Sequence, residues 1–172
     1  LRADLKEMNG YMNRVALRTI SYFDSGKEPS GKSEPERFYH GFVLGLMVDM
    51  EEQYTVRSNR ESGFGRYDIM LEPKLGAMWE TTLESKKEGA AKAALEWKFG
   101  IGASGDSAHD GIIMEFKVID KTEEKDLEET AKSALLQIEE KQYEAELKAK
   151  GIKNIRKYGF AFEGKNVLIK QG

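Results

Sequence analysis

The sequence contains no cysteine, which excludes disulfide scaffolds, thiolate metal sites and cysteine nucleophiles. No apolar run approaches the roughly 20 residues that span a bilayer, so a membrane-spanning protein is excluded. The first ten residues lack the apolar segment of a signal peptide. The net charge is −3, so there is no general basic coat, and any binding of nucleic acid must depend on local patches. These absences are typical of a reducing compartment, and we predict a cytoplasmic protein.

The 172 residues are enough for one domain with a sizeable core. Apolar spacing predicts a first helix within residues 1–23, which either belongs to an upstream region or packs loosely on the domain. A linker rich in Ser, Gly and Pro follows. The chain begins with Leu, so we expect a fragment of a longer protein, with residues 1–35 as its upstream helix and linker and residues 36–172 as the domain.

The remaining pattern alternates helices and strands. A buried helix starts at Ser33 and carries His40, and two strands then flank the turn Ser62–Gly65. The segment IIMEFKVID is the best strand, and residues 122–150 are predicted to form one long helix capped by Thr122. Two short strands close the chain. This order predicts an α/β or α+β fold with a mixed sheet.

Three charged residues in predicted strands point to chemistry. Alternation puts Glu115 and Lys117 on the strand face that also carries Ile113 and Ile119. Asp68 lies inside an earlier strand, where Asp is disfavoured. Two converging carboxylates suit Mg²⁺ or Mn²⁺, and a nearby ammonium suits a polarised water or a phosphate. The residues alone also allow a simple Glu–Lys ion pair and an Asp that caps the glycine turn.

Polar side chains on the two flanking helices extend this set. His40 lies in an apolar helix, where it is either a core histidine or a third metal ligand. Gln137 and Lys141 lie one turn apart on the edge of the later helix, where they either contact a phosphate, position Lys117 or form an ordinary solvated flank.

Five segments in this order resemble the PD-(D/E)XK nuclease superfamily, most closely the nuclease-like domain C-terminal to AAA-type ATPase domains in bacterial and archaeal proteins. They are FYHGFVLGL, SNRESGFGRYDIMLEP, IIMEFKV, ALLQIEEKQY and KYGFAFEGKNVLI. The resemblance implies a restriction-endonuclease-like core, with helices on both faces of a central mixed sheet. It implies Asp68 and Glu115 as ligands of Mg²⁺ or Mn²⁺, joined by His40, and Lys117 as the catalytic lysine.

The resemblance also implies a role for Gln137 in the catalytic set. Tyr143 has less weight, because a continuous helix would point it away from Gln137. The two acids are further apart in the sequence than is usual for the family, so residues 75–103 are predicted to be a helical insertion. That insertion could be a lid, a partner-binding arm, a swapped element or an engineered piece, and a homo-oligomer could form through it. We also expect an AAA-type ATPase domain upstream in the full-length protein.

Two functions follow as hypotheses. The first is a metal-dependent nuclease that hydrolyses DNA phosphodiester bonds, with Asp68 and Glu115 binding Mg²⁺ and Lys117 activating water. The DNA contacts would come from six basic residues: Arg57, Arg60, Arg66, Lys141, Arg156 and Lys157. The alternative is a catalytically inactive module of the same fold that binds DNA or protein. Metal binding at Asp68 and Glu115 distinguishes the two.

Overall fold

The computed structural model describes residues 5–20, 33–51, 53–74 and 110–172. The helices are α1 (Leu5–Thr19), α2 (Ser33–Met47), α3 (Leu127–Glu140) and α4 (Ala145–Ala149), with a 3-10 turn at Val48–Met50. The strands are β1 (Tyr54–Ser62), β2 (Gly65–Pro73), β3 (Gly111–Val118), β4 (Ile155–Glu163) and β5 (Asn166–Gln171). The predicted insertion at residues 75–103 lies outside the described residues. No helix in the described ranges is long and apolar enough to cross a membrane.

The described strands form one sheet in the order β1-β2-β3-β4-β5. β3 and β4 are parallel, whereas the other neighbouring pairs are antiparallel. Parallel neighbours need a long crossover connection, and α3 and α4 lie within the one that joins β3 to β4. The predicted α/β fold with a mixed sheet is therefore confirmed, and it is consistent with a restriction-endonuclease-like core.

Helices cover both faces of the sheet. On one face, α1 and α2 pack against residues that include Met114 and Phe116 of β3. On the other face, Ile138 of α3 and Leu147 of α4 pack against Ile113. The two faces of β3 therefore alternate as its sequence predicts, which puts the odd-numbered residues of this strand on the α3 side.

Helix α1 is joined to strand β5 through two asparagine side chains. The Asn9 amide donates to the carbonyl of Ile169 (3.0 Å) and accepts from its N–H (2.7 Å). Asn13 makes the same pair of bonds with Val167, at 2.7 and 2.9 Å. Four residues of helix advance about 6 Å and two residues of strand about 6.8 Å, so the spacings match. α1 therefore covers the β5 edge as part of this core, while its origin in an upstream region stays a prediction.

The predicted single helix over residues 122–150 is wrong at its start and in its middle. α3 begins after Asp126, whose carboxylate accepts the N–H groups of Glu128 and Glu129 at the exposed N-terminus. Thr122 instead donates its N–H and hydroxyl to the carboxylate of Asp120 in the preceding turn. The helix stops near Lys141 because Gln142 adopts a positive φ of 53°. A separate short helix, α4, follows.

Candidate active site

The site forms where strands β2 and β3 separate. Their paired residues end at Ile69 opposite Met114, and continuing this register places Asp68 opposite Glu115. Asp68 Oδ2 instead accepts the backbone N–H of Phe116 at 2.8 Å, so the Asp68 side chain replaces a main-chain partner. On the other side of β2, Asn59 of β1 has a positive φ of 51° and is not paired with Asp68. The regular pairing of β2 with its neighbouring strands is therefore interrupted on both sides of Asp68.

Glu115 is the buried carboxylate of this site. The residue is 4% exposed, and its Oε1 accepts a hydrogen bond from Gln137 Nε2. Its Oε2 is buried and has no hydrogen-bond partner among the described residues. An unpartnered buried carboxylate oxygen is costly, so a proton or a cation at this position would relieve the cost.

Burial raises the pKa of both carboxylic acids. For Glu115, loss of solvation is the largest cause, the negative charge of Asp68 adds to it, and Lys117 acts in the opposite direction. For Asp68, loss of solvation again raises the pKa, against the N–H of Phe116 and the charges of His40 and Lys117. The pair is therefore short of positive charge, since its neighbours offset its burial only in part.

Glu36 of α2 is a third acid near this pair. Burial raises its pKa, the charge of Asp68 adds to the rise, and Lys117 lowers it. Glu36 was not among the site residues predicted from the sequence, although a signal existed: Glu36 and His40 are four residues apart on α2 and so share a helix face. In the described residues, Lys117 makes no ion pair within 4.0 Å, and Glu36, Asp68 and Glu115 all act on it electrostatically.

His40 lies beside Asp68, and both of its ring nitrogens are engaged. Nε2 is 2.9 Å from the Ser58 hydroxyl, and Nδ1 is 3.2 Å from the Asn59 amide nitrogen. An amide NH₂ can only donate, so Nδ1 is the acceptor in the contact with Asn59. The ring also packs near Phe116, with 5.9 Å between centroids. His40 as a metal ligand stays a prediction, and it requires one of these hydrogen bonds to be given up.

Gln137 joins helix α3 to the site. Its Nε2 donates to Glu115 Oε1 and to the hydroxyl of Tyr143, the latter at 3.1 Å. The expectation that Tyr143 points away from Gln137 is therefore wrong. It assumed a continuous helix, whereas the chain reverses at Gln142 and returns the Tyr143 ring towards the sheet.

A glycine in β4 allows α3 to lie close to Glu115. Gly159 is the β4 partner of Glu115, and a Cβ built on it would be 2.3 Å from the carbonyl oxygen of Ala131 on α3. The same Cβ would be 3.2 Å from Ala134 Cβ. No larger residue fits this gap, so Gly159 sets the helix-to-sheet distance over which Gln137 reaches Glu115.

The six basic residues predicted to contact DNA fall into two groups. Arg57 pairs with Glu72 at 3.0 Å, Arg156 with Asp110 at 2.7 Å, and Lys157 with Glu139 at 2.7 Å and also with Glu144. In the described part of the chain, the other three form no ion pair: Arg60, Arg66 and Lys141. They lie at the β1–β2 hairpin and at the end of α3.

Comparison with known families assigns the chain to one group of proteins. The family model of the PD-(D/E)XK nuclease superfamily matches residues 34–96 and 101–172, which is most of the chain. The chain belongs to the PD-(D/E)XK nuclease superfamily. Neither the curated proteins nor the solved structures gave a match. The match includes residues 75–96, which lie outside the described residues, so the insertion stays a prediction. The upstream ATPase domain also stays a prediction, because the family match does not test it.

PD-(D/E)XK nucleases typically use divalent metal ions. Among the described residues, no group of three or more His, Asp or Glu side chains is arranged to hold such an ion. The donors nevertheless fit a hard cation, since Asp68 and Glu115 offer carboxylate oxygens and Glu115 Oε2 is buried without a partner. The two carboxylates on adjacent strands therefore offer the oxygen donors that a hard divalent cation prefers.

Proposed function

We propose that the chain is a metal-dependent nuclease that hydrolyses DNA phosphodiester bonds, with Mg²⁺ or Mn²⁺ held by Asp68 and Glu115. One observation carries this proposal. A nine-tenths buried Glu115 keeps an unpartnered oxygen next to Asp68, inside a superfamily of nucleases. Buried carboxylate oxygens with a purely structural role are in the large majority of cases hydrogen-bonded.

Each side chain around the pair has a distinct role in the proposal. A bound divalent ion would polarise a water and screen the charge that develops on the scissile phosphate. Asp68 is oriented towards that position by the N–H of Phe116, and Glu115 by Gln137. No third side chain is in place as a ligand among the described residues, since His40 is already hydrogen-bonded through both ring nitrogens. Glu36 is a further acid whose charge is coupled to that of Asp68.

Lys117 acts on the attacking water and on the phosphate. Its ammonium has no lone pair when protonated, so it is not a metal ligand but a donor of hydrogen bonds. It follows Glu115 on the same face of β3 and has no fixed ion-pair partner among the described residues, so it is available to a ligand. Gln137 is a positioning residue, since it contacts Glu115 and Tyr143 rather than the reacting atoms.

The three unpaired cations are the strongest candidates for contacts with DNA. Arg60, Arg66 and Lys141 can bind phosphates without breaking an existing ion pair. Arg57, Arg156 and Lys157 would first have to exchange a carboxylate for a phosphate. We therefore place the DNA next to the β1–β2 hairpin, on the side of the α3–α4 junction.

A second function, an inactive module that binds DNA or protein, has one observation in its favour. The described residues contain no ready group of three metal-ligating side chains, and a module without catalysis needs none. The two functions differ in metal binding. The nuclease must bind Mn²⁺ through Asp68 and Glu115, whereas the module need not.

The test compares Lys117→Ala with Lys132→Ala, a control that removes an exposed lysine of α3 in a surface ion pair. Cleavage of linear and circular DNA is measured with Mg²⁺, and Mn²⁺ affinity by calorimetry. Lys117→Ala should lose about 10²- to 10⁴-fold in rate and keep its fold and metal affinity. Asp68→Asn should lose metal affinity as well as rate.

Equal cleavage by the wild type and Lys117→Ala would reject this mechanism. Tight Mn²⁺ binding by a wild type that cleaves neither DNA would favour the binding module, or a nuclease that depends on an upstream ATPase domain. Normal cleavage by Lys132→Ala is required for the comparison to be valid.

A further inference from the structure

Phe64 is an apolar side chain held in an exposed position at the tip of the β1–β2 hairpin. It is 74% exposed, more than the other exposed large apolar residues described, which are Leu17, Val48 and Leu136. Those three are aliphatic, whereas Phe64 presents an aromatic face. An exposed aromatic ring has a solvation cost, and it is a common feature of binding surfaces.

The backbone beneath this ring is fixed. The Phe64 N–H donates to the carbonyl of Lys141 at 2.7 Å, and the Ser62 hydroxyl donates to the carbonyl of Tyr143 at 2.6 Å. Gly63 has a positive φ of 59°, and a Cβ there would be 2.2 Å from the Lys141 carbonyl oxygen. The hairpin tip is therefore held against the α3–α4 junction by hydrogen bonds, while the Phe64 ring stays exposed to solvent.

The same junction connects the tip to the candidate active site. Tyr143 accepts the Ser62 hydroxyl through its carbonyl and contacts Gln137 through its ring hydroxyl, and Gln137 donates to Glu115. Tyr143 and Gln137 therefore link the hairpin tip to the carboxylate of Glu115.

The surroundings of Phe64 favour an anionic partner. Arg60 and Arg66 flank the turn, and the aliphatic part of Lys141 lies beside Gly65, 3.2 Å from the position of an added Cβ. None of these three cations forms an ion pair in the described part of the chain, and Glu61, the β1 partner of Arg66, is the acidic residue of the tip. Phosphates with bases attached match this combination of cations and one aromatic face.

We propose that Phe64 stacks on an unpaired base of single-stranded DNA, while Arg60, Arg66 and Lys141 hold the adjacent phosphates. The proposal rests on the proposed function and specifies its substrate: DNA with a single-stranded segment next to the cleaved bond. A phenyl ring has no hydrogen-bonding group, so the contact is independent of base identity. In a duplex the base faces are already stacked on each other and are closed to the ring.

The test measures binding in EDTA, so that cleavage plays no part. The probes are a fluorescein-labelled oligothymidylate and a labelled blunt duplex of two complementary strands, followed by fluorescence anisotropy. The variants are Phe64→Ala, Phe64→Trp and the control Leu17→Ala, which truncates another exposed apolar side chain, on α1. Arg66→Gln is added over a series of salt concentrations. Circular dichroism melting checks that each variant is folded.

Phe64→Ala should weaken single-strand binding about 5- to 100-fold and leave duplex binding within about twofold, and Phe64→Trp should restore single-strand affinity. Arg66→Gln should reduce the slope of log affinity against log salt by about one unit, whereas Phe64→Ala should leave it unchanged. Leu17→Ala should match the wild type.

Three results would overturn the proposal: equal single-strand affinity for Phe64→Ala and Leu17→Ala, equal losses on single strand and duplex, or no recovery with tryptophan. The nuclease is tested separately by the Lys117→Ala experiment. A wild type that binds single strands through Phe64 but never cleaves refutes the nuclease and supports the stacking site. A wild type that cleaves while Phe64→Ala binds normally refutes only the stacking site.

Discussion

Asn13→Ala is a direct test of how helix α1 is held on the edge of the sheet. The substitution removes two bonds to β5, from Asn13 Nδ2 to the Val167 carbonyl and from the Val167 N–H to Asn13 Oδ1. Val167 is 4% exposed, so water replaces these partners poorly. Each lost hydrogen bond costs about 0.5–1.5 kcal/mol net, and more where a buried group is left unsatisfied.

The higher helix propensity of alanine offsets part of that loss, because alanine is more favourable than asparagine in a helix interior by up to about 0.7 kcal/mol. The expected net loss in the free energy of unfolding is therefore about 1–2 kcal/mol. The assay is urea unfolding, with stability compared at an unchanged m-value. Arg14→Ala, at an exposed position of the same helix, should stay within about 0.5 kcal/mol of the wild type.

Asn13→Asp separates the hydrogen bonds from side-chain size. The carboxylate still accepts the Val167 N–H, but it cannot donate to the Val167 carbonyl and instead faces it with a second oxygen. It should therefore be at least as destabilising as Asn13→Ala. The reasoning is refuted if Asn13→Ala costs no more than Arg14→Ala, or if Asn13→Asp is as stable as the wild type.

Two further substitutions test how α3 is positioned. Gly159→Ala places a methyl 2.3 Å from the Ala131 carbonyl oxygen. It should therefore lower the free energy of unfolding in urea by about 1–3 kcal/mol and disturb the contact between Gln137 and Glu115. A loss below about 0.5 kcal/mol would contradict the close approach of α3 to β4. Asp126→Ala removes the acceptor at the start of α3 and should cost about 0.5–2 kcal/mol, more than Thr122→Ala. A larger loss of stability for Thr122→Ala than for Asp126→Ala would instead support a helix that starts at Thr122.

Local patterns determined the strands and part of the site. Alternation with a period of two placed Glu115 and Lys117 on one face of β3, and the structure has the same division between Ile113 and Met114. The glycine turn at Ser62–Gly65 was also predicted where the hairpin lies. These features depend on residues that are close in sequence, so they can be predicted from the local pattern of residues.

Helix ends were harder to predict because several residues compete for the same role. Thr122 and Asp126 are both good caps, but in the structure Thr122 bonds the carboxylate of Asp120 while Asp126 caps α3. The break at Gln142 has no clear signal either, since glutamine rarely adopts a positive φ. In the structure, the junction is tied to the β1–β2 hairpin through the bond from Phe64 to Lys141.

Patterns within the sequence predicted the described strands, the mixed α/β class and the candidates Asp68, Glu115 and Lys117. The tertiary structure decided which distant groups meet them: Glu36 from α2, Gln137 from α3, and Tyr143 from beyond the break. The physical reason is that periodicity fixes the face on which a residue lies, whereas contact between segments depends on register and helix-to-sheet distance. Those are set by interactions such as Asp68 with Phe116, 48 residues apart, and by the gap over Gly159.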